Sequence, residues 1–231
     1  MCGRFVRKGD KDLLEERFGC DARGILLAPG YNIAPSQDCP VVTVEGDRRV
    51  LGLMRWGLVP AWAEDAKIGY RMINARGETV AEKQSFKTLL RKSRCLVPAS
   101  GFYEWKKQKG GGKTPYFFGL RGGAPFAFAG LWTVWHAGRE DEIRSFTIVT
   151  TSANELMAPV HDRMPVILHE KDEARWLDPE IGKPGDLLPL LVPYPSGEME
   201  CWEVSPYVNS YKNQGEECIR PLSSEEKNRS S

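Results

Sequence analysis

Short strand-like runs separated by turns recur along most of the chain, and this pattern restricts the possible fold more than any other feature. Residues 40–44 and 50–56 flank a turn at 45–48 and predict a β-hairpin. Further strands are predicted at residues 95–98, 102–107, 116–120, 126–132, 145–151, 166–168 and 199–204. Because turns rather than helices connect most of these runs, the sequence predicts an α+β fold around a curved antiparallel sheet or barrel.

A few helices are expected between the strands. Residues 12–18 predict a short amphipathic helix with Asp10 as its N-cap, and residues 78–92 carry apolar side chains at helical spacing and predict the longest helix. Residues 171–177 and 186–191 are also predicted to be helical. A chain of 231 residues with 41% hydrophobic content can bury one large core. One domain is therefore expected over residues 1–222, followed by a polar tail at 223–231 that is expected to be disordered.

The composition argues against several classes of protein. The six cysteines show no Cys-x-x-Cys spacing and the three histidines form no zinc-binding motif, so free thiols, no metal and no cofactor are expected. The longest apolar run, at 187–193, is broken by prolines and is too short to span a bilayer. A soluble monomer in the cytoplasm is expected, associated with the nucleoid if the cell is bacterial, without a membrane partner.

Charge is nearly balanced over the whole chain but not along it. The net charge is +1, yet residues 85–113 contain eight basic residues and a single acid, Glu104. Such a run predicts either a solvated surface or a nucleic-acid contact surface.

Cys2 directly follows Met1, and a side chain as small as that of cysteine generally permits removal of the initiator. The new terminus would carry an amine and a thiol on adjacent carbons. Their ordinary pKa values lie at about 7.7 to 8.0 and about 8.5, so both are partly nucleophilic at neutral pH. The pair suits self-activated acyl transfer, or capture of an aldehyde as a Schiff base and then as a five-membered ring.

Three further segments place a polar side chain among aromatic or turn-forming neighbours. Asn74 precedes the predicted long helix, Glu104 alternates with aromatic residues in a predicted strand, and His161 begins a short polar turn. The strand period of two places Phe102 and Glu104 on one face. Each polar residue also has a purely structural explanation, as a turn cap, an exposed strand residue or a satisfied histidine. Spacing along the chain cannot bring them together.

Seven segments in this order resemble the SOS response-associated peptidase (SRAP) family, over nearly the whole chain from Cys2 to about Pro221. They are Cys2–Phe5, Tyr31–Pro35, Arg55–Pro60, Asn74–Thr79, Gly101–Trp105, His161–Pro165 and Val204–Asn209. The resemblance implies a barrel-like arrangement of antiparallel sheets flanked by a few helices. It also implies binding of single-stranded DNA, including strand junctions, and covalent trapping of abasic sites by the N-terminal cysteine.

The same resemblance assigns individual residues. It implies that Cys2 is the nucleophile and that Asn74, Glu104 and His161 complete the catalytic set. The residues it implies for DNA binding are Arg4, Asn32, Pro35, Trp62, Arg76, Thr150 and Arg163. In the expected reaction the Cys2 amine forms an imine with the abasic-site aldehyde, and the thiol then closes a thiazolidine.

Two alternatives remain open at this level. The same residues suit a cysteine peptidase of the N-terminal-nucleophile type, active mainly in self-processing, and the basic run suits a DNA-binding module that forms no covalent bond. The chain also departs from the family at Ala63, where relatives often carry a second aromatic after the position of Trp62. Since stacking of a base on an aromatic contributes about 1 to 3 kcal/mol, weaker DNA binding is expected at this point.

Overall fold

The computed structural model of the chain describes residues 2–223 and 225–226. The strands in this part are β1 (Phe5–Arg7), β2 (Cys20–Asp21), β3 (Gly30–Ile33), β4 (Asp38–Glu45), β5 (Arg48–Trp56), β6 (Asn74–Arg76), β7 (Arg94–Ala99), β8 (Gly101–Lys107), β9 (Lys113–Leu120), β10 (Phe126–Trp135), β11 (Ile143–Ser152), β12 (Arg163–Pro165), β13 (Ile167–Leu168) and β14 (Met199–Glu203). The α-helices are α1 (Lys11–Phe18), α2 (Lys87–Lys92), α3 (Glu170–Leu177) and α4 (Pro184–Leu187). Short 3-10 helices cover Ala66–Arg71, Arg121–Gly123, Leu188–Leu190, Ser196–Glu198, Pro206–Asn209 and Glu216–Cys218.

The strands form two sheets. The smaller sheet has the order β14-β9-β8-β1-β3, and the larger has the order β12-β11-β10-β7-β4-β5-β2. In the larger sheet β11 also pairs with β5 in parallel, so that β11, β10, β7, β4 and β5 form a ring. This ring confirms the expected barrel-like α+β architecture.

An aromatic core joins the two sheets. Phe5 and Phe102 of the smaller sheet face Trp56 and Phe128 of the ring, with the Phe5 and Trp56 ring centroids 5.1 Å apart in an edge-on arrangement. Cys2 belongs to this same cluster of buried residues. The residue predicted to be the nucleophile therefore lies at the junction of the sheets and not in a frayed terminus.

A second core covers the other face of the ring. Leu14 and Phe18 of α1, Leu90 of α2 and Trp176 of α3 pack there against strand residues such as Val149. The helices thus cover one side of the ring and leave the other side to the smaller sheet and Cys2.

Local signals predicted several elements correctly. Asp10 caps α1 by accepting a hydrogen bond of 3.1 Å from the Leu13 N–H, and Gly19 ends the helix in the left-handed conformation. The β4–β5 hairpin has the expected turn, with Glu45 opposite Arg48. The strands predicted between residues 95 and 204 are all present with small shifts of their ends, and α3 confirms the predicted helix at 171–177.

The prediction of one long helix at 78–92 is wrong. Residues 77–86 form successive turns, in which the N–H groups of Glu82 and Lys83 both donate to the carbonyl of Thr79, and only α2 is helical. The β-branched residues Thr79 and Val80 favour helix weakly, and full burial of Val80 against the ring determines the path of the chain. The segment predicted at 186–191 instead begins at Pro184 and becomes a 3-10 helix after Leu187.

Of the tail predicted to be disordered, residues 224 and 227–231 lie outside the described part of the chain. Within it, the Glu226 carboxylate binds the Arg220 guanidinium at 2.7 Å. Among the described residues, no helix is both long enough and apolar enough to cross a membrane.

Candidate functional site

The pairing of β1 with β8 determines where Cys2 lies. Phe5 pairs with Phe102 in antiparallel register, and the Tyr103 N–H donates a 3.0 Å hydrogen bond to the carbonyl of Arg4. Continued in the same register, the chain before Arg4 runs along β8 toward Glu104. Cys2 is completely buried at this position. Burial, together with the negative charge of Glu104, raises the pKa of its thiol far above the usual range.

Asn74 reaches Cys2 from the larger sheet. It opens β6, which runs parallel to β11 with Asn74 opposite Ile148. The side-chain amide donates a hydrogen bond of 2.8 Å from Nδ2 to the carbonyl oxygen of Cys2. The other amide atom, Oδ1, is buried and accepts no hydrogen bond within the described residues. Asn74 thus fixes the backbone of residue 2 and presents a spare acceptor beside it.

Glu104 is a buried carboxylate on the face of β8 that turns toward Cys2. Glu104 is only 5% exposed. The alternation of side chains expected along this strand is present, because Phe102 lies in the core between the sheets whereas Tyr103 and Trp105 belong to a separate cluster. Burial raises the pKa of Glu104, and its electrostatic interaction with nearby His161 acts in the opposite direction. The carboxyl group can therefore hold a proton nearer to neutral pH than an exposed glutamate can.

His161 lies on the segment between β11 and β12. The backbone N–H of Arg163 donates to its Nδ1 at 3.0 Å, which in the neutral ring leaves the proton on Nε2. The Asp162 carboxylate also lies 3.0 Å from Nδ1, but its side chain is 87% exposed and can turn to solvent. A ring held at Nδ1 presents Nε2 as its proton-transferring atom.

The structure therefore brings together three of the predicted residues with Cys2, although 159 positions separate the first from the last. Asn74 contacts Cys2 directly, Glu104 acts electrostatically on Cys2, and His161 acts electrostatically on Glu104. A nucleophile, an amide, a carboxyl group with a raised pKa and an imidazole in one place can open a ring, form an imine and transfer the protons that both steps require. Among the described residues, no group of three or more His, Cys, Asp or Glu side chains could hold a metal ion.

Arg4 and Asn32 form a linked pair beside this site. Arg4 Nη1 donates to Asn32 Oδ1 at 2.6 Å and to the carbonyl of Val208 at 3.1 Å, and its guanidinium lies 5.6 Å from the Trp105 ring centre. Asn32 is fully buried, and its Nδ2 donates to the backbone carbonyls of Val208, Ser210 and Asn213. Any contribution of Asn32 to DNA binding must therefore act through Arg4.

Arg163 and Thr150 form a second linked pair. The Arg163 guanidinium makes a bidentate ion pair with Glu78, at 2.5 and 2.9 Å, and donates to the carbonyl of Thr150 at 2.8 Å. Arg163 holds the pKa of Glu78 below its usual range. Thr150 is buried, so its side chain supports Arg163 and offers little surface of its own.

The remaining predicted DNA-binding residues lie at the surface. Arg76 is exposed at the end of β6, opposite Thr150, and Pro35 begins a half-buried turn after β3. Trp62 is 58% exposed. Ala63 is buried beneath Trp135, whose indole N–H donates to the Ala63 carbonyl at 2.7 Å. A side chain at position 63 therefore faces a small core and not solvent.

The basic run at 85–113 does not form one surface. Its first part lies on α2, which packs against the ring through Leu90, whereas Lys106, Lys107 and Lys113 belong to the β8–β9 hairpin of the smaller sheet. Arg94 is buried and donates to backbone carbonyls, among them that of Leu90 at 2.6 Å. The run is therefore divided between structural and surface roles.

Two functional candidates are not evident from the sequence. The position of Glu78 along the chain indicates only a residue that favours a helix start, but it is the partner of Arg163. Trp105 lies under Arg4, and its indole N–H donates to Asn209 Oδ1 at 2.7 Å. Both contacts join distant segments, and no local pattern indicates them.

The chain is similar to known proteins in sequence and in fold. The family model described as SOS response associated peptidase (SRAP) matches residues 1–211. A protein of Bacillus subtilis named abasic site processing protein YoqW is 45% identical over 222 residues, which cover 95% of this chain and 99% of that protein. The abasic site processing protein HMCES of Gallus gallus is 34% identical, with 84% of this chain and 66% of that protein covered.

A solved structure agrees on the fold. The crystal structure of a protein from Bacteroides thetaiotaomicron superposes with a TM-score of 0.87 at 24% identity, covering 96% of this chain and 100% of that one.

Proposed function

We propose that this chain, which belongs to the SOS response associated peptidase (SRAP) family, processes abasic sites in DNA by trapping them covalently on Cys2. The observation that carries the proposal is the hydrogen bond from Asn74 to the carbonyl of Cys2, made where Glu104 and His161 also act. The names of the relatives support abasic sites as the substrate. The substrate form proposed is single-stranded DNA, including junctions with duplex.

The reaction begins with the sugar. An abasic site is mainly a cyclic hemiacetal, and it opens when the bond between C1′ and the ring oxygen breaks. The C1′ hydroxyl then loses a proton and the ring oxygen gains one. In the proposal the Glu104 carboxylate accepts the first proton, and the protonated form of His161, with the Asp162 carboxylate beside Nδ1, supplies the second from Nε2 to the ring oxygen and becomes neutral. The raised pKa of Glu104 suits proton exchange near neutral pH.

Covalent capture then uses both groups of Cys2. Once Cys2 is the amino-terminal residue, its amine attacks C1′ and forms an imine with loss of one water. Asn74 Oδ1, the buried acceptor beside residue 2, orients the amine by accepting a hydrogen bond from one of its N–H groups. The thiol then adds across the imine, with sulfur bonding to C1′ and its proton going to nitrogen. The resulting thiazolidine resists hydrolysis and shields the strand from β-elimination.

The raised pKa of the Cys2 thiol supports this order of events. Burial and Glu104 raise its pKa, so that it remains protonated while the amine reacts first. A peptidase nucleophile needs the opposite, a cysteine whose pKa is lowered. The raised pKa of the Cys2 thiol and the burial of Glu104 support covalent trapping over the peptidase alternative and over a purely non-covalent DNA-binding module.

A crosslinking experiment tests the proposal. Purified protein is incubated with a single-stranded oligonucleotide that carries one abasic site, and products are separated on a denaturing gel after heating. The proposal predicts a heat-stable adduct with the wild type, a labile one at most with Cys2→Ser, and none with a form that retains Met1. An adduct that is equally stable with Cys2→Ser would exclude the thiol, and a wild type without any adduct would end the proposal. Cys2-dependent cleavage of peptides would favour the peptidase.

The proposed setting follows from the substrate. The proposed location is the cytoplasm, at the nucleoid if the cell is bacterial, and the protein is proposed to act there as a monomer during the DNA damage response. Arg4, Arg76 and Arg163 are the proposed phosphate-binding residues, because guanidinium groups bind phosphate oxygens in bidentate fashion.

A further inference from the structure

A second candidate site lies beside the turn that follows Pro35. It is a cleft of about 290 Å³ between the end of β5 and the 3-10 helix Ala66–Arg71. Its lining includes Ser36, Arg55, Gly57, Lys67, Gly69 and Tyr70. The catalytic residues described above do not line it.

The cleft depends on a close approach of two glycines. A Cβ at Gly57 would lie 2.7 Å from the Gly69 carbonyl oxygen, and a Cβ at Gly69 would lie 2.7 Å from the Gly57 carbonyl oxygen. Gly57 also has a φ of +125°, which a side chain would strain. The contact sets the 3-10 helix directly against the end of β5, and the side chains of Arg55, Lys67 and Tyr70 border the cleft that results.

The cleft combines positive charge with an exposed ring. Tyr70 is 68% exposed, more than Trp62. Among the described residues, the side chains of Arg55 and Tyr70 have no hydrogen-bond or ion-pair partner. Lys67 Nζ lies 4.0 Å from Asp65, so its charge is partly balanced and Arg55 is the stronger anion-binding group. An unpaired guanidinium beside an exposed aromatic ring matches a phosphate linked to a base.

The cleft is close to the site of the proposed reaction. Tyr70 precedes Asn74 by four residues, which span at most about 14 Å of extended chain. The backbone between them is held in place, because the Leu58 N–H donates to Met72 and the Trp56 indole donates to Ile73. A strand whose abasic sugar lies at Cys2 can therefore place a neighbouring nucleotide in this cleft.

We propose that the cleft binds a nucleotide that flanks the abasic site, with Arg55 on its phosphate and the Tyr70 ring stacked on its base. The proposal rests on the function proposed above. In this proposal the exposed ring of Tyr70 provides a stacking surface that position 63 does not, because the alanine side chain there is buried.

The test combines protein variants with altered DNA. Equilibrium binding is measured with an oligonucleotide whose abasic position is tetrahydrofuran, which has no C1′ hydroxyl and cannot crosslink, and with versions in which the neighbouring nucleotide on one or the other side is also replaced by tetrahydrofuran. Tyr70→Ala should weaken binding about 5- to 100-fold. Tyr70→Phe should bind like the wild type, whereas Tyr70→Leu should behave like Tyr70→Ala. When the DNA lacks the flanking base that stacks on Tyr70, wild type and Tyr70→Ala should bind it with equal affinity.

Arg55→Gln tests the phosphate contact independently. It should reduce the slope of log affinity against log salt concentration by about 0.7, the value expected for one phosphate contact on a single strand. Arg48→Gln, at the exposed opposite end of the same hairpin, is the matched control and should leave the slope near that of the wild type.

Specific outcomes would overturn the cleft proposal. The proposal is overturned if Tyr70→Ala and Arg55→Gln both bind the DNA with the affinity of the wild type. It is also overturned if Tyr70→Ala loses the same amount of DNA-binding affinity whether the flanking base on either side is present or absent. Failure of the function proposed above is distinguishable, since it would appear as a wild type that binds DNA but forms no crosslink.

Discussion

Asn74 Nδ2 donates a hydrogen bond of 2.8 Å to the carbonyl oxygen of Cys2, and Asn74 Oδ1 is buried beside it with no partner among the described residues. An amide that fixes the backbone of a nucleophile, and still has an acceptor to spare, can orient an amine on that same residue. This contact is the basis of the proposed chemistry.

The first prediction concerns that amide. Asn74→Ala removes both the backbone contact and the acceptor, so we expect the crosslinking rate to fall about 5- to 100-fold, the range that loss of one buried hydrogen bond implies. Asn74→Asp should be at least as slow, because a carboxylate repels the Cys2 carbonyl. Single-turnover gels provide the rates. Gln108→Ala, which removes an exposed amide bonded to Thr114, is the control, and a rate for Asn74→Ala equal to that of the control would refute the prediction.

The second prediction concerns the pH dependence of stability. The pKa of Glu104 is raised in the folded protein above its ordinary value of 4.5, because burial disfavours the charged form. Its contribution to folding is therefore fully present at low pH and is lost as pH rises through the folded pKa. Glu104→Gln does not titrate. Its melting temperature should exceed that of the wild type by a margin that grows from pH 4.5 toward neutral pH, while crosslinking falls.

Melting curves at several pH values check this expectation. Glu82→Gln, in an exposed turn, controls for the loss of one carboxylate from the chain. A margin for Glu104→Gln that shrinks as pH rises would show that the folded protein favours the charged form of Glu104, which is incompatible with a raised pKa.

The third prediction distinguishes the two nitrogens of His161. Because the Arg163 N–H binds Nδ1, the proposed proton donor is Nε2. The amide nitrogen of glutamine can occupy the place of Nε2, whereas the shorter asparagine reaches only the place of Nδ1. We therefore expect His161→Gln to retain more crosslinking activity than His161→Asn at neutral pH, with a weaker pH dependence than the wild type. Equal rates for the two variants, measured over a pH series, would argue against Nε2.

The fourth prediction concerns Glu78, which occupies the Arg163 guanidinium with a bidentate ion pair. If Arg163 binds phosphate, Glu78 competes with the DNA. Glu78→Gln should then tighten binding of an undamaged single strand, and Arg163→Gln should weaken it. Since Glu78 is about half exposed, the effect on folding stability should be below about 1 kcal/mol. Fluorescence anisotropy at fixed salt measures both affinities, and weaker binding by Glu78→Gln would contradict the competition.

Local signals account for the parts of the fold that the sequence predicts correctly. The Asp10 cap, Gly19 and the hairpin turn at 45–48 act within a few residues, and each element lies where it is expected. The prediction of a helix over residues 78–92 is wrong, because the burial of Val80 depends on tertiary packing and the spacing of apolar residues along the chain does not indicate it.

In the candidate site too, tertiary contacts are not predictable from local sequence signals. Only the family resemblance links Cys2, Asn74, Glu104 and His161 at the level of sequence, because no spacing rule connects them. Contacts such as Arg163 with Glu78, which are 85 positions apart, and Arg4 with Asn32 depend on how β6, β12 and the smaller sheet meet. The roles of Asn32 and Thr150 as supports for arginines are visible only from their burial.

The proposed chemistry requires that both groups of Cys2 bond to one carbon of the abasic sugar. Intact mass spectrometry of the product after heating, followed by peptide mapping, tests this requirement, because an imine of the same mass hydrolyses whereas the ring does not. We predict a heat-stable adduct whose mass is that of protein lacking Met1 plus oligonucleotide minus one water, located on the peptide that begins at Cys2. An adduct on another residue, or on a chain that still carries Met1, would contradict it.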